Sequence, residues 1–404
     1  MYTKTILFLI DYNYRLQKVL FRKKNTVGRV VKKSNPIAFS GIKITMKIYV
    51  YAIAKNEEKF AARWYESVKE ADGVFVLDTG SSDDTVKILE KSGADVKTEN
   101  IMPWRFDTAR NRALSLVPDD ADICVSVDID EVFLPGWRQK LEKAAADNPG
   151  ANLFSCYYAW SQNKDGSDGI TFYIKKIHRR SGFVWKGIVH EVVSPMPGVR
   201  LVECEIPGAK LIHMPDDDKS RAQYLPLLEQ AVKEDPENDR NSFYLGREYY
   251  FRGKNAECVR ELTRHLSLPS ACWDEERSAS RRFLANAYAR LGDDKNALRS
   301  YIMSAGEYPF SREPWIALGK YFYGKENWEG VIFAIGEALK IEKPSSSYLN
   351  DPESFSSYPY DVLSIAYYKT GQVPLAASAA ERALSLSPDD ARIRGNLDFF
   401  RENI

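Results

Sequence analysis

The chain has 404 residues, enough for two domains with sizeable cores. Lys and Arg number 57 against 56 Asp and Glu, a formal net charge of +1, so the basic excess of a general nucleic-acid binder is absent. Five cysteines, odd in number, scattered and never spaced Cys-x-x-Cys, argue against a disulfide scaffold and for reduced thiols in a cytoplasmic protein.

Residues 1–45 are basic (Arg15, Lys18, Arg22, Lys23, Lys24, Arg29, Lys32, Lys33) with interspersed Leu, Phe and Val. Three readings stand side by side: a poorly ordered extension, a start of translation at Met46, and a segment touching an anionic membrane surface at the inner face of the cytoplasmic membrane. No apolar run reaches the roughly 18 residues of a membrane-spanning helix, and Ile6–Ile10 is too short for a signal-peptide core.

From Met46 strands and helices alternate. Residues 47–53 read as a buried strand and 57–69 as a helix with Phe60, Trp64 and Val68 on one face. Strands are predicted over 74–78, 94–98 and 123–128. Helices are predicted from Ser82 or Asp83 to Lys91, stopped by Gly93, over 108–116, and over 137–146. This rhythm predicts a mostly parallel sheet covered on both faces, with ligands bound beyond the carboxyl ends of the strands. Residues 152–213 turn to shorter β-like runs, predicting an antiparallel edge that completes the site.

After residue 215 the character becomes helical. Four units recur, built around Tyr244-Leu-Gly246, Leu284-Ala285, Leu318-Gly319 and Ala366-Tyr367. They end at Pro269, Pro309, Pro344 and Pro388, intervals of 40, 35 and 44 residues. The pattern resembles tetratricopeptide repeats of about 34 residues with insertions. Tyr224–Lys233 is read as a half-repeat, and 344–360 as an interrupting loop.

Five segments can carry chemistry. Asp128-Ile129-Asp130 follows an apolar strand. If the tip turns, both hard carboxylates approach one divalent cation, Mg²⁺ or Mn²⁺, that bridges a diphosphate. Asp78 with Thr79-Gly80-Ser81 ends a second strand, where the carboxylate can accept from a nucleotide and Gly80 lets backbone approach it; for Ser81 to Asp84 helix capping is an equal alternative. Ala54-Lys55-Asn56-Glu57-Glu58 ends the first strand and faces the same crevice. Arg110 can clamp a phosphate or make a surface ion pair. Glu191 or His190 can act as general base, and His213, after the domain's last apolar run, is a candidate third metal ligand or a structural histidine.

Taken in order, Ala54-Lys-Asn-Glu-Glu58, Val76–Thr85, Ala109-Arg-Asn111, Val127-Asp-Ile-Asp-Glu131, Pro135-Gly-Trp137, Val189-His-Glu191 and Tyr244–Tyr249 resemble the family 2 glycosyltransferases of GT-A fold. The closer likeness is to the bacterial branch whose catalytic domain precedes a tetratricopeptide array. The likeness covers residues 46–404: a GT-A α/β domain at 46–215 and an all-α tetratricopeptide-like domain at 216–404. It implies a nucleotide-sugar donor, usually a UDP-sugar, a divalent cation and inversion at the anomeric carbon. By position, Ala54, Asn56, Glu57, Asp78, Gly80, Arg110 and Asp128 fall on the donor, Asp128, Asp130 and His213 on the metal, and Glu191 with His190 on catalysis. Two departures are Ile129 where a small residue is usual, and the lack of an acidic pair on a helix to serve as base; Asp216 and Asp217 are the alternatives to Glu191.

The acceptor is a glycan or a protein hydroxyl or thiol, and the repeats suit a protein partner or a homodimer. A sugar nucleotidyltransferase is disfavoured because no glycine-rich loop follows the first strand. A catalytically silent sugar-nucleotide-binding repeat scaffold is the remaining alternative.

Overall fold

The computed structural model describes residues 46–163, 166–216, 223–345 and 347–404. The basic extension and Asp217 lie outside these residues. Two compact bodies result: one runs to Asn241 and includes Ser345–Pro352, the other comprises Ser242–Pro344 and Glu353–Ile404.

The first body is an eight-stranded sheet. Strands β1 (Ile48–Ala54), β2 (Gly73–Asp78), β3 (Asp95–Thr98) and β4 (Ile123–Ser126) are parallel in the order β3-β2-β1-β4. Helices α1 (Glu58–Val68), α2 (Thr85–Ser92) and α3 (Phe106–Leu116) connect them. Parallel neighbours require such crossovers. Because β1, β2 and β3 step one way and β4 returns to the far side of β1, strand order reverses between β1 and β4, where open α/β sheets form their crevice.

Beyond β4 the sheet continues through β7 (Thr171–Arg179), β6 (Leu153–Ala159), β10 (Glu203–His213) and β5 (Glu131–Phe133). Here β4–β7, β6–β7 and β5–β10 are antiparallel while β6–β10 is parallel. The antiparallel character expected after residue 152 is therefore present, and β5 is an additional short strand. A separate hairpin pairs β8 (Phe183–Lys186) with β9 (Val192–Pro195).

Alternation along β1 feeds two cores, as the period of two requires. Ile48, Val50 and Ala52 pack with Trp64 and Val68 of α1, Leu89 of α2, and Trp137 and Leu141 of α4 (Trp137–Asp147). Tyr51 packs on the other face with Ala109 and Ala113 of α3 and with Phe183 and Trp185 of the hairpin. Full burial of a large apolar side chain such as Leu89 is worth about 1.5–3 kcal/mol.

Two expected boundaries move. The fourth strand stops at Ser126, not Asp128, because residues 127–130 leave the sheet in a turn closed by the Glu131 amide on the Asp128 carbonyl at 2.9 Å. The domain boundary expected at 216 falls at 242, since α5 (Tyr224–Glu234) packs on the sheet body. Its Tyr224 ring lies against Phe106 and His190, and Glu234 accepts from Arg105 at 2.8 Å.

In the second body the four predicted repeats are four helix pairs: α6 (Asp239–Phe251), in which the division falls, with α7 (Asn255–Ser267); α8 (Asp274–Arg290) with α9 (Asp294–Glu307); α10 (Arg312–Gly324) with α11 (Trp328–Leu339); and α12 (Tyr358–Lys369) with α13 (Val373–Leu386). A last helix, α14 (Ala391–Glu402), follows. Each of Pro269, Pro309, Pro344 and Pro388 follows the second helix of its pair. The interrupting loop contains a single 3₁₀ turn, Pro352–Phe355. Among the described residues no helix is long and apolar enough to cross a membrane.

Candidate active site

At the carboxyl ends of β1 and β2 two loops clasp each other. Asn56, at a positive φ of 55°, accepts at Oδ1 from the Ser82 amide at 2.8 Å, and its own amide donates to Ser81 Oγ at 2.9 Å. The Glu57 amide donates to Thr85 Oγ1 at 2.7 Å, while Glu58 and the segment 83–84 exchange amide-to-carboxylate bonds. Ala54 sits opposite Asp78 in register, and its carbonyl takes the Thr79 amide at 2.8 Å. Asp78 is buried, and its carboxylate accepts from the amides of Gly80 and Ser81 at 3.1 Å. Gly80 has φ +102°, and a β-carbon there would stand 2.6 Å from Asn100 Oδ1, so this turn needs glycine. Asp78 thus shapes the rim of the crevice through its own turn, while the N-cap of α2, Asp84, makes no side-chain capping bond.

Across the strand reversal lies a chain of alternating charges. Arg110, on the inward face of α3 and buried, donates from Nε to Glu191 and from Nη1 to Asp128 Oδ1 at 2.6 Å. Lys176, in β7, donates to Asp128 Oδ2 and to Glu131 Oε1, both at 2.7 Å. Glu131 also accepts from the Asp128 amide at 2.9 Å and the Tyr158 hydroxyl at 2.8 Å. Burial disfavours the Asp128 carboxylate, but Arg110 and Lys176 outweigh it and hold its pKa well below the ordinary range. Burial likewise opposes the Lys176 ammonium, and Asp128 with Glu131 more than offsets it. For Glu131, more deeply buried and close to two other carboxylates, burial wins and the pKa rises.

Asp130 and His213 form a neighbouring pair. His213 Nε2 lies 3.4 Å from Asp130 Oδ2, and Nδ1 lies 3.0 Å from the Trp160 carbonyl. Since a carbonyl only accepts, Nδ1 carries the proton and Nε2 presents a lone pair when the ring is neutral. Burial lowers the His213 pKa, yet the Asp130 hydrogen bond and charge raise it overall. The Met214 amide donates to the Asp130 carbonyl at 2.7 Å and fixes the end of β10 on the turn. This donor pair suits a hard or borderline divalent cation, its histidine oriented by a backbone carbonyl. Among the described residues Asp128 is not gathered with them into a cluster of three ligand atoms, and both its oxygens are engaged by cations.

Glu191 and His190 lie in the turn of the β8–β9 hairpin. The turn needs Gly187 (φ +112°) and a positive φ of 53° at His190. Asn111 pins it to α3: its Nδ2 donates to the Trp185 carbonyl and its Oδ1 accepts from the Trp185 amide, each at 2.9 Å. Trp185 also lies under the Arg110 guanidinium, 4.8 Å from ring centroid to Cζ. The Glu191 carboxylate is therefore occupied by a cation, which suits orienting Arg110 better than abstracting a proton. Asp216 lies 3.4 Å from Lys59.

Lys176, Tyr158 and Asn111 were not singled out as site residues from sequence. For Lys176 a signal existed: a charged residue within a strand run, Thr171–Arg179, half-buried itself and directly before the two buried positions, Ile177 and His178.

Residues 49–201 match the family model described as glycosyl transferase family 2. Over 101 residues the chain is 48% identical to an uncharacterized glycosyltransferase of Rickettsia conorii (strain ATCC VR-613 / Malish 7), a stretch covering 24% of this chain and 34% of that protein. The match thus spans about a third of the length of this curated relative. Among solved structures it is similar to glucosyl-3-phosphoglycerate synthase from Mycobacterium tuberculosis in complex with Mg²⁺ and uridine diphosphate, with 27% identity, 28% of this chain, 44% of that chain and TM-score 0.25. It is also similar to MamA, with 15% identity, 42% of this chain, 83% of that chain and TM-score 0.33. A thermophilic TPR protein of Thermus thermophilus shares 16% identity over 44% of this chain and 88% of that chain, with TM-score 0.32.

Proposed function

We propose that this chain, whose residues 49–201 carry a glycosyl transferase family 2 domain, moves a sugar with inversion from a nucleotide diphosphate, UDP foremost, to a hydroxyl or thiol of a glycan or protein acceptor. The observation that carries the reading is the pairing of Asp130 with His213 Nε2 beside the strand reversal, next to the buried Arg110 and the half-buried Lys176. Asp130 and His213 would hold a divalent cation, Mn²⁺ or Mg²⁺. When bound, that ion would offset the charge that builds on the departing diphosphate. Arg110, held charged by Asp128 and Glu191, faces the same charge. The clasped loops at Ala54–Glu58 and Asp78–Thr85 form the wall for the nucleoside.

Glu191 keeps Arg110 in place, and Asp216, whose partner Lys59 is exposed and more distant at 3.4 Å, is the alternative base for the acceptor proton. The four helix pairs offer a surface for a protein acceptor, another partner or a second copy of the chain. Nucleotide sugars and five cysteines in no disulfide both suit a cytoplasmic setting.

UDP titrated with and without Mn²⁺, wild type against Asp130→Ala, tests the reading. Metal-dependent UDP binding lost in the variant supports it, and binding indifferent to both metal and substitution sinks it in favour of a silent nucleotide-binding scaffold.

A further inference from the structure

Lys176 belongs to none of the loop motifs that define the site. It rises from β7 with its side chain only 12% exposed, and its ammonium bridges Asp128 and Glu131 at 2.7 Å each. Around it four carboxylates (Asp128, Asp130, Glu131, Glu191) meet two cations, Arg110 and Lys176. The flanking carboxylates of Asp128 and Asp130 keep 28% and 26% of their surface open, so a soluble ion can reach this corner. A fixed cation at such a place has two opposite effects. It repels a second, mobile cation, and it attracts a polyphosphate. Both act at short range and with little screening, because the ammonium is enclosed.

We propose that Lys176 is a positioning residue that makes metal and nucleotide arrive together: it weakens the hold of the corner on a bare divalent cation and strengthens its hold on the nucleotide diphosphate once that cation is present. The proposal rests on the reading of Asp130 and His213 as a metal pair. Removing the lysine makes the corner more negative by one charge, so the two affinities move in opposite directions. A lysine that merely braced the fold would, on removal, loosen the site and weaken both.

Free Mn²⁺ is followed by its electron paramagnetic resonance signal in titrations of the full chain, and UDP is then titrated calorimetrically at saturating Mn²⁺. In Lys176→Met the affinity for Mn²⁺ alone rises about tenfold and that for UDP falls about tenfold, the scale of one unit charge acting through a partly screened medium. Lys176→Arg keeps both affinities within about threefold of wild type. The double variant Lys176→Met with Glu131→Gln, which removes one charge of each sign and guards against misfolding of the single variant, returns both toward wild type.

Weaker or unchanged Mn²⁺ binding by a folded Lys176→Met, with wild type binding normally, overturns this proposal alone. Wild type that binds no Mn²⁺ with or without UDP overturns the metal reading and the proposal with it.

Discussion

His178, near the end of β7, bridges the sheet and the hairpin. Its Nδ1 donates to the Arg179 carbonyl at 2.8 Å, and its Nε2 accepts from the Tyr51 hydroxyl at 2.9 Å, which itself receives the Trp185 indole N–H at 2.7 Å. The ring is fully buried, and burial pushes its pKa down to about 4 from 6.5. The folded protein therefore holds this imidazole neutral at pH values where the unfolded chain protonates it. The His178 contribution is unchanged above about pH 6.5 and costs stability as pH falls toward 4, by about 3 kcal/mol in all at 1.36 kcal/mol per unit. Urea denaturation at pH 7 and pH 4 is expected to show a fall in unfolding free energy that is about 3 kcal/mol smaller in His178→Gln; equal falls in both proteins would exclude His178 as the source. The same residue illustrates what the amino-acid order conceals. A lone histidine in a strand reads as ligand or, more commonly, as core, and only its partners decide for core: the Tyr51 hydroxyl from β1 and the carbonyl of the adjacent Arg179. Lys176 two positions earlier is the mirror case, a strand lysine whose partners Asp128 and Glu131 arrive from a turn some 45 residues away.

At the scale of elements, the helix pairs of the repeat body depend on small residues at their crossings. At Gly246 in α6 a β-carbon would stand 2.3 Å from Leu262 Cδ2 and 2.6 Å from its Cγ, so even alanine forces α7 outward or Leu262 off its rotamer. Alanine improves helix propensity by about 1 kcal/mol, but overpacking costs about 1–3 kcal/mol. Gly246→Ala is expected to lower the melting temperature by a few degrees. Adding Leu262→Ala should show a positive coupling, costing less than the two single changes together, in a double-mutant cycle. Additive losses would mean the crossing does not touch there. This spacing of small residues and terminal prolines was readable in advance, and so were the four parallel strands, since a 3.6-residue period and unbroken apolar runs are properties of local sequence. The three-residue β5 and the assignment of α5 to the sheet body were not. β5 is too short to carry a period, and α5 has an amphipathic pattern that fits either body until Tyr224 meets Phe106 and His190. The site divides the same way. The aspartates at strand ends stood out, whereas the capture of Asp128 by Arg110 and Lys176 depends on strand β7 lying antiparallel beside β4.

At the scale of the whole molecule the two bodies are not contiguous in sequence. Ser345–Pro352 leaves the repeat body between α11 and α12 and belongs to the sheet body, where Tyr348 sets its ring edge-on to Phe172 of β7 at 6.1 Å between centroids. Such an aromatic pair contributes about 0.5–1.5 kcal/mol beyond its buried area. Tyr348→Ala is expected to raise amide exchange along 171–176 by about tenfold while leaving the helix pairs unchanged. Faster exchange confined to residues 312–339 would show that the segment serves the repeats instead.

That return of the chain also orders events in time. During synthesis the ribosome releases the sheet strands through β10, which ends at His213, then about 130 further residues, before Ser345–Pro352 emerges. At about 5–20 residues per second the nascent sheet waits several seconds or more with Phe172 uncovered. A ribosome stalled or a message truncated within α10 or α11 thus leaves an apolar patch on β7 open to chaperones and proteases, although every residue of the candidate active site has already been made.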